Sequence, residues 1–236
     1  MPAMVAAEAV RRAESYPFDL PFGSYRYREG AHEAFDAVDS GRRPVLAVGS
    51  NGAPSQLATK FGLCPEGIPV TRAVLYDHAV VYSAHFAAYG SLPATLFRVS
   101  GCRSWVFVTW LTDGQLAAMH RSEGIGDRYD FAQLRLGEVE DETAGRVDGV
   151  GVYMSRAGAL SHDGAAIRVA DVPTMGCTLP ALTQRAALRW AHARLAPALG
   201  YEAFVERLVN EASYRGASNV ALRRLALACS RSPATA

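Results

Sequence analysis

No sign of charge dominates this chain: 24 Lys and Arg stand against 23 Asp and Glu, for a net charge of +1 over 236 residues. That balance offers no electrostatic case for nucleic acid or an anionic membrane surface, and no basic run is interleaved with aromatics. Long apolar runs are missing too. None approaches the roughly eighteen residues that a membrane-spanning helix needs, and the opening MPAMVAAEAVRRAESYP has no hydrophobic stretch behind a basic start. Neither a membrane partner nor a secretory signal is expected, and the expected location is cytoplasmic. Cysteine is sparse: Cys64, Cys102, Cys177 and Cys229 lie far apart with no C-x-x-C pair, which argues against a structural zinc site or a disulfide framework. The six histidines include no H-x-x-x-H or H-E-x-x-H, so no metal site is expected.

What is present is the balance of an ordinary globular protein, 50% hydrophobic and 20% charged, long enough for one good-sized domain with additions. An alanine-rich, helix-prone start leads into YPFDLPFGSYRYREG, where proline and glycine discourage regular structure, and HEAFDAVDSG suggests a short helix ending near Gly41. Residues 43–50 (RPVLAVGS) form an apolar run bounded by turn residues, the pattern of a buried strand. From Val70 to Leu111 the runs VTRAVLYDHAVVYSAHF, ATLFRVS and SWVFVTWL read as strands broken by Gly, Pro and Ser clusters, which suggests an antiparallel barrel or strongly curved sheet. YDFAQLRL, residues 150–154 and residues 167–172 extend the β pattern; 138–149 suggests a hairpin loop and SRAGALSHDGA a turn. After Pro180 three helices are expected, in LTQRAALRWAHARLAPAL, YEAFVERLVNEASYRG and SNVALRRLALACS, with Trp190, Phe204 and Leu208 as core residues and the tail 230–236 disordered.

Two stretches carry chemistry. The first is Gly49-Ser50-Asn51-Gly52, between the strand and a helix-compatible SQLATK with Pro54 at its start. Its two glycines permit positive φ and can turn several backbone N–H groups toward one carboxylate or phosphate, although on this motif alone a plain strand-to-helix turn is the preferred reading. It is neither a P-loop nor G-x-G-x-x-G, and with Val48 in the first glycine position it is not a nucleophile elbow, so a nucleotide and an activated serine are both disfavoured. The second stretch is Leu111–Tyr129, LTDGQLAAMHRSEGIGDRY. Thr112 and Gln115 have capping-box spacing, Leu116 and Met119 share an apolar face, and Gly124 and Gly126 stop the helix just after Glu123. Taken alone, Glu123 reads as a solvated carboxylate at a helix end.

The order of these pieces changes that reading. A strand running into Gly49-Ser50-Asn51 is followed by β-rich sequence with a Gly90-Ser91-Leu92-Pro93-Ala94-Thr95 bend. A tryptophan-bearing strand, a short helix, Glu123-Gly124 and then Tyr129 come next. Residues 44–136 thereby resemble the γ-glutamylcyclotransferase-like family, whose signature is a Tyr-Gly-Ser-Asn loop paired with a later Glu-Gly. The resemblance implies an α+β fold, a small mixed and mainly antiparallel β-barrel with surrounding helices. Beyond the matched stretch, the sequence pattern itself suggests a barrel domain at 44–175, an N-terminal extension at 1–43 and C-terminal helices at 180–230, packed on the same domain. The resemblance further implies that Gly49, Ser50 and Asn51 bind the glutamyl part of a small γ-glutamyl substrate and that Glu123 is the general acid/base; the backbone of Gly52 is expected to join the same binding loop. The reaction would cyclise a γ-glutamyl amide to 5-oxoproline and release an amine or amino acid, with no cofactor and no metal. Tyr129 would hydrogen-bond substrate or Glu123, or else serve the core. Two positions depart from the family pattern: Val48 stands where the family has tyrosine, and Gly52 where it often has leucine. A non-enzymatic module of the same fold, binding a small ligand or a protein partner, is the alternative. A hydrolase using Ser50 or Ser91 with His85 or His120 is a third reading. The identity of the γ-glutamyl compound and the oligomeric state stay open.

Overall fold

In the computed structural model, which describes residues 2–229, the first part of the chain forms helix α1 (Pro2–Glu14) and strands β1 (Tyr25–Arg28), β2 (Ala31–Ala34) and β3 (Arg43–Ala47). A 3₁₀ turn at Ser50–Gly52 leads into α2 (Pro54–Phe61), and two long strands follow, β4 (Ile68–Tyr82) and β5 (Ala94–Leu111). After α3 (Asp113–Glu123) come β6 (Tyr129–Gln133), β7 (Val139–Asp141), β8 (Gly145–Arg146) and β9 (Gly151–Ser155). The short strands β10 (Ala159–His162), β11 (Ala165–Ala166), β12 (Arg168–Val169), β13 (Thr174–Met175) and β14 (Ala181–Leu182) precede the helices α4 (Gln184–Leu195), α5 (Tyr201–Asn210) and α6 (Ala212–Arg223), and β15 (Ala226–Leu227) ends the described chain. The fold is therefore mixed α+β.

The main sheet runs β14-β12-β4-β5-β3-β9-β6 and is mostly antiparallel, with β3/β9 and β12/β14 the parallel pairs. The mostly antiparallel sheet matches the expectation, and among the described residues its path is not seen to close into the expected barrel. One face of it packs against α4 and α5: Leu46, Leu75, Val80, Leu96, Val108, Leu188, Phe204 and Leu208 belong to one buried cluster. A second cluster, with Val45, Leu57, Val70, Phe107, Leu111 and Met119, lies under α2 and α3.

Several local expectations are corrected. HEAFDAVDSG is not a helix. Its first residues pair as β2 with β1, and the loop beyond is gathered by the buried Arg26, which donates to Asp36 Oδ1 at 2.7 Å, Asp39 Oδ2 at 3.2 Å and the Ala37 carbonyl at 2.8 Å. These tertiary partners outweigh helix propensity. Likewise Tyr25–Arg28 is regular, because it adds to the edge of β4. The turn expected in SRAGALSHDGA contains the β10/β11 hairpin. The last two helices divide at Glu211, so Gly216 lies inside α6, and Ala226–Leu227 pairs with β10 in place of continuing a helix. The tail 230–236, expected to be disordered, lies outside the described residues.

Strand register sets where the site forms. β3 and β5 are antiparallel, with Ala47 opposite Phe107 and Arg43 opposite Leu111, so α3 starts at the far end of β3 from the loop that follows it. Eleven residues of helix rise about 16 Å, and the five residues of β3 extend about the same distance. The helix therefore returns its last residue, Glu123, to the Gly49–Asn51 turn. Thr112 fixes the start of that travel through a reciprocal cap, Gln115 N to Thr112 Oγ1 at 3.2 Å and Thr112 N to Gln115 Oε1 at 2.9 Å, and Gly124 ends it in the left-handed conformation at φ 66°.

Phe204→Ala removes a fully buried ring that joins α5 to the sheet core. It is expected to lower the unfolding free energy by about 3–5 kcal/mol in urea titration. A loss below about 1 kcal/mol would show that α5 does not share that core.

Candidate active site

A cavity of about 470 Å³ opens where the Gly49–Asn51 turn, the end of α3 and α6 meet. Of the residues singled out in the sequence, Gly49, Ser50, Asn51, Glu123 and Tyr129 line it, as do Ala88, Tyr89, Pro93 and Ala94 from the second glycine-containing bend. Gly52 does not. It is buried behind the turn, its carbonyl accepts the Tyr25 hydroxyl at 2.6 Å, and a Cβ there would meet Phe107 and Leu20 at 3.2 and 3.3 Å. The turn also differs from the expected concavity, since neither Gly49 nor Gly52 takes a positive φ. Gly49 serves close approach: a Cβ at 49 would collide with the Tyr16 hydroxyl.

The centre of the site is a closed triangle. Asn51 Nδ2 donates to Glu123 Oε1 at 3.0 Å, Lys60 Nζ donates to Asn51 Oδ1 at 2.7 Å, and Lys60 forms an ion pair with the same Oε1. Lys60 and Glu123 are only 15% and 12% exposed, so the charges meet where water screens them little. The third direction of the ammonium points at Met119 Sδ, 3.4 Å away. All three lysine donors are thus held by the protein, whereas no hydrogen bond reaches Glu123 Oε2 among the described residues. The carboxylate is clamped by one oxygen and presents the other. Lys60 escaped the motif reading, yet it carries a compositional signal: it is the only lysine in the chain, every other Lys/Arg position being arginine.

Phenols surround this centre. Tyr16, Tyr89, Tyr129 and Tyr153 all line the cavity. Burial raises the titration of each, and the negative charge of Glu123 adds to the rise for Tyr129, Tyr153 and Tyr89, so all four are neutral donors near pH 7. The Tyr16 hydroxyl accepts the Ala94 N–H at 2.7 Å, and the Tyr153 hydroxyl meets His120 Nδ1 at 2.8 Å. His85 is pushed down to about 4, first by burial and then by the guanidinium charges of Arg128 and Arg223, so it is a neutral imidazole. Its Nδ1 lies 2.7 Å from Ser83 Oγ, a fully buried hydroxyl. Among the described residues no histidine bonds Ser50 or Ser91, which leaves the serine-hydrolase reading without a nucleophile-base pair. No group of three or more His, Cys, Asp or Glu able to hold a metal occurs among the described residues, and no described helix is long and apolar enough to cross a membrane.

No family model and no curated protein matches the sequence. Among solved structures the chain is similar to a γ-glutamyl cyclotransferase at 16% identity and TM-score 0.40, over 48% of this chain and 66% of that one, just under two thirds of its length. It is also similar to an Arabidopsis thaliana protein solved in solution, at 18% identity and TM-score 0.39 over 51% of this chain and 74% of that one. An uncharacterized Homo sapiens protein aligns at 12% identity and TM-score 0.43 over 71% and 88% of the two chains. With TM-scores below 0.5, these likenesses carry no functional argument, and the reading below stands on the cavity.

Removing either partner of the Lys60–Glu123 pair strands a charge or a polar group in a half-dry site. A double-mutant cycle of Lys60→Met and Glu123→Gln, read by urea unfolding, is expected to give a coupling of about 0.5–3 kcal/mol. Additive effects would show that the pair contributes nothing to holding α2 against α3.

Proposed function

We propose that the protein cyclises a γ-glutamyl amide to 5-oxoproline in this cavity, with the open sheet as a variant of the cyclotransferase-like barrel. The observation that carries the reading is the meeting of Asn51 and Glu123, 72 residues apart in sequence, at a 3.0 Å hydrogen bond on the cavity wall. A γ-glutamyl amide contains its own nucleophile, the α-amine, four bonds from the carbonyl carbon it attacks, so that attack closes a five-membered ring. The protein's first task is to hold the chain bent, which recruits the high effective molarity of an intramolecular reaction.

The free oxygen of Glu123 takes a proton from the α-ammonium. The amine attacks the γ-carbonyl, and Glu123 gives its proton to the departing amine as the C–N bond breaks. The second proton, shed by the new ring nitrogen, leaves through the same carboxylate and ends on the released amine as its ammonium form. Lys60 and Asn51 hold the other oxygen, so the carboxylate does not rotate between these transfers. Backbone N–H groups of the Gly49–Asn51 turn anchor the substrate α-carboxylate or the developing oxyanion. Tyr129, buried beside Glu123, supplies a neutral phenol donor. A non-enzymatic binding module is the second reading. It is favoured by the ion pair that already occupies Glu123.

Glu123→Gln keeps the Asn51 contact possible but removes the base. Release of 5-oxoproline from a panel of γ-glutamyl compounds, followed by mass spectrometry, is expected to fall by about 10²–10⁴ in a folded variant. Ser50→Ala and Asn51→Ala should raise KM more than they lower stability. Near-normal turnover by folded Glu123→Gln would remove the acid/base role, and silence of the wild type across the panel would favour the binding module.

A further inference from the structure

The far wall of the cavity is unlike the wall that carries Glu123. Arg215, Asn219 and Arg223 line it at successive four-residue steps, which places them on one face of α6, while Arg128 lines the cavity from the turn after α3, on the Glu123 side. Asn219 registers the helix against the cavity by accepting the Phe86 N–H at 2.7 Å. Arg128 is anchored through Nη2 to the Ser122 carbonyl at 2.8 Å, and Arg215 through Nη1 to the Leu208 and Val209 carbonyls at 2.6 and 3.2 Å. These carbonyls fix the guanidiniums without neutralising them. Among the described residues none of the three forms an ion pair with a carboxylate, and Arg223 makes no side-chain hydrogen bond.

Charge around the cavity is therefore unequal. Lys60 and Glu123 neutralise one another, which leaves three guanidiniums against the single exposed carboxylate of Asp127. Converging like charges are unfavourable unless an opposite charge completes them, and guanidinium is the group best suited to bind carboxylate or phosphate oxygens in pairs. We propose that the α6 wall is a subsite for a dianionic group, a phosphate or a pair of carboxylates, on the end of the ligand remote from Glu123. Resting on the cyclotransferase reading, the substrate is then a γ-glutamyl amide whose leaving amine carries that dianion.

Binding of inorganic phosphate and of succinate is measured by titration calorimetry on the full chain, in wild type, Arg223→Gln and Arg215→Gln/Arg223→Gln. One of the two dianions is expected to bind, and each guanidinium lost should weaken it about tenfold. Tighter phosphate binding assigns a phosphoryl group, and tighter succinate binding assigns paired carboxylates. Arg223→Gln breaks no internal bond, so it reads the effect even if the double variant is less stable. Failure of both dianions to bind wild type, or equal binding by the variants, overturns the subsite. Turnover separates the two ideas: in the double variant KM for γ-glutamylaspartate should rise about tenfold more than KM for the neutral γ-glutamylalaninamide. Both compounds turned over with an unchanged KM ratio would sink the subsite and leave the reaction. Arginine-dependent anion binding without any 5-oxoproline release would sink the reaction and leave the subsite.

Discussion

The arrangement depends on one half-buried ammonium. Lys60 stands at the end of α2, Glu123 at the end of α3 and Asn51 in the turn before α2, and their bonds close on one another. A charge so little exposed is tolerated only when it is paired and its remaining donors are satisfied, and here all three lysine donors have acceptors. The geometry of two helices and a turn is consequently tied to one carboxylate oxygen. A lysine suits this place better than arginine. Its compact ammonium can aim three donors at three separate acceptors, where a planar guanidinium would fork toward one. In a chain that otherwise uses arginine throughout, that difference accounts for the exception.

The cavity divides by charge. At one end a clamped carboxylate and neutral phenols offer hydrogen bonding. At the other, Arg215, held by the Leu208 and Val209 carbonyls, and Arg223 offer positive charge without an ion pair among the described residues. The neutral His85 lies among them and adds no further cation near pH 7. The two ends of the cavity thus differ in what they offer: hydrogen-bonding groups beside Glu123 and guanidinium charge along α6.

What was legible in the sequence follows from how local each signal is. The cap at Thr112, the stop at Gly124 and the strand before Gly49 are written in neighbouring residues, and the structure contains them. Gly49, Ser50, Asn51, Glu123 and Tyr129 could be named because short motifs carry them, and they share one cavity. Gly52 belongs to that set only if the glycines take positive φ, and with neither doing so the turn points Gly52 inward. Lys60 lies nine residues from Asn51 and 63 from Glu123, so only packing of α2 on α3 reveals the pair. The stretch after Ala31 misled because its helix-forming residues are captured by a strand edge and by Arg26, contacts that no local pattern encodes.

The segments outside the resemblance do more than cover the domain. Tyr16 comes from the chain between α1 and β1, and its hydroxyl packs so closely on Gly49 that only glycine fits there. Val48 removes a phenol from the loop itself, and Tyr16 brings one to the same turn from 33 residues back along the chain. The opposite wall is α6, pinned to the 86–89 bend through Asn219. The turn and Glu123 thus form one wall of the cavity, while Tyr16 and α6 bound it from segments that the loop and Glu-Gly motifs do not include.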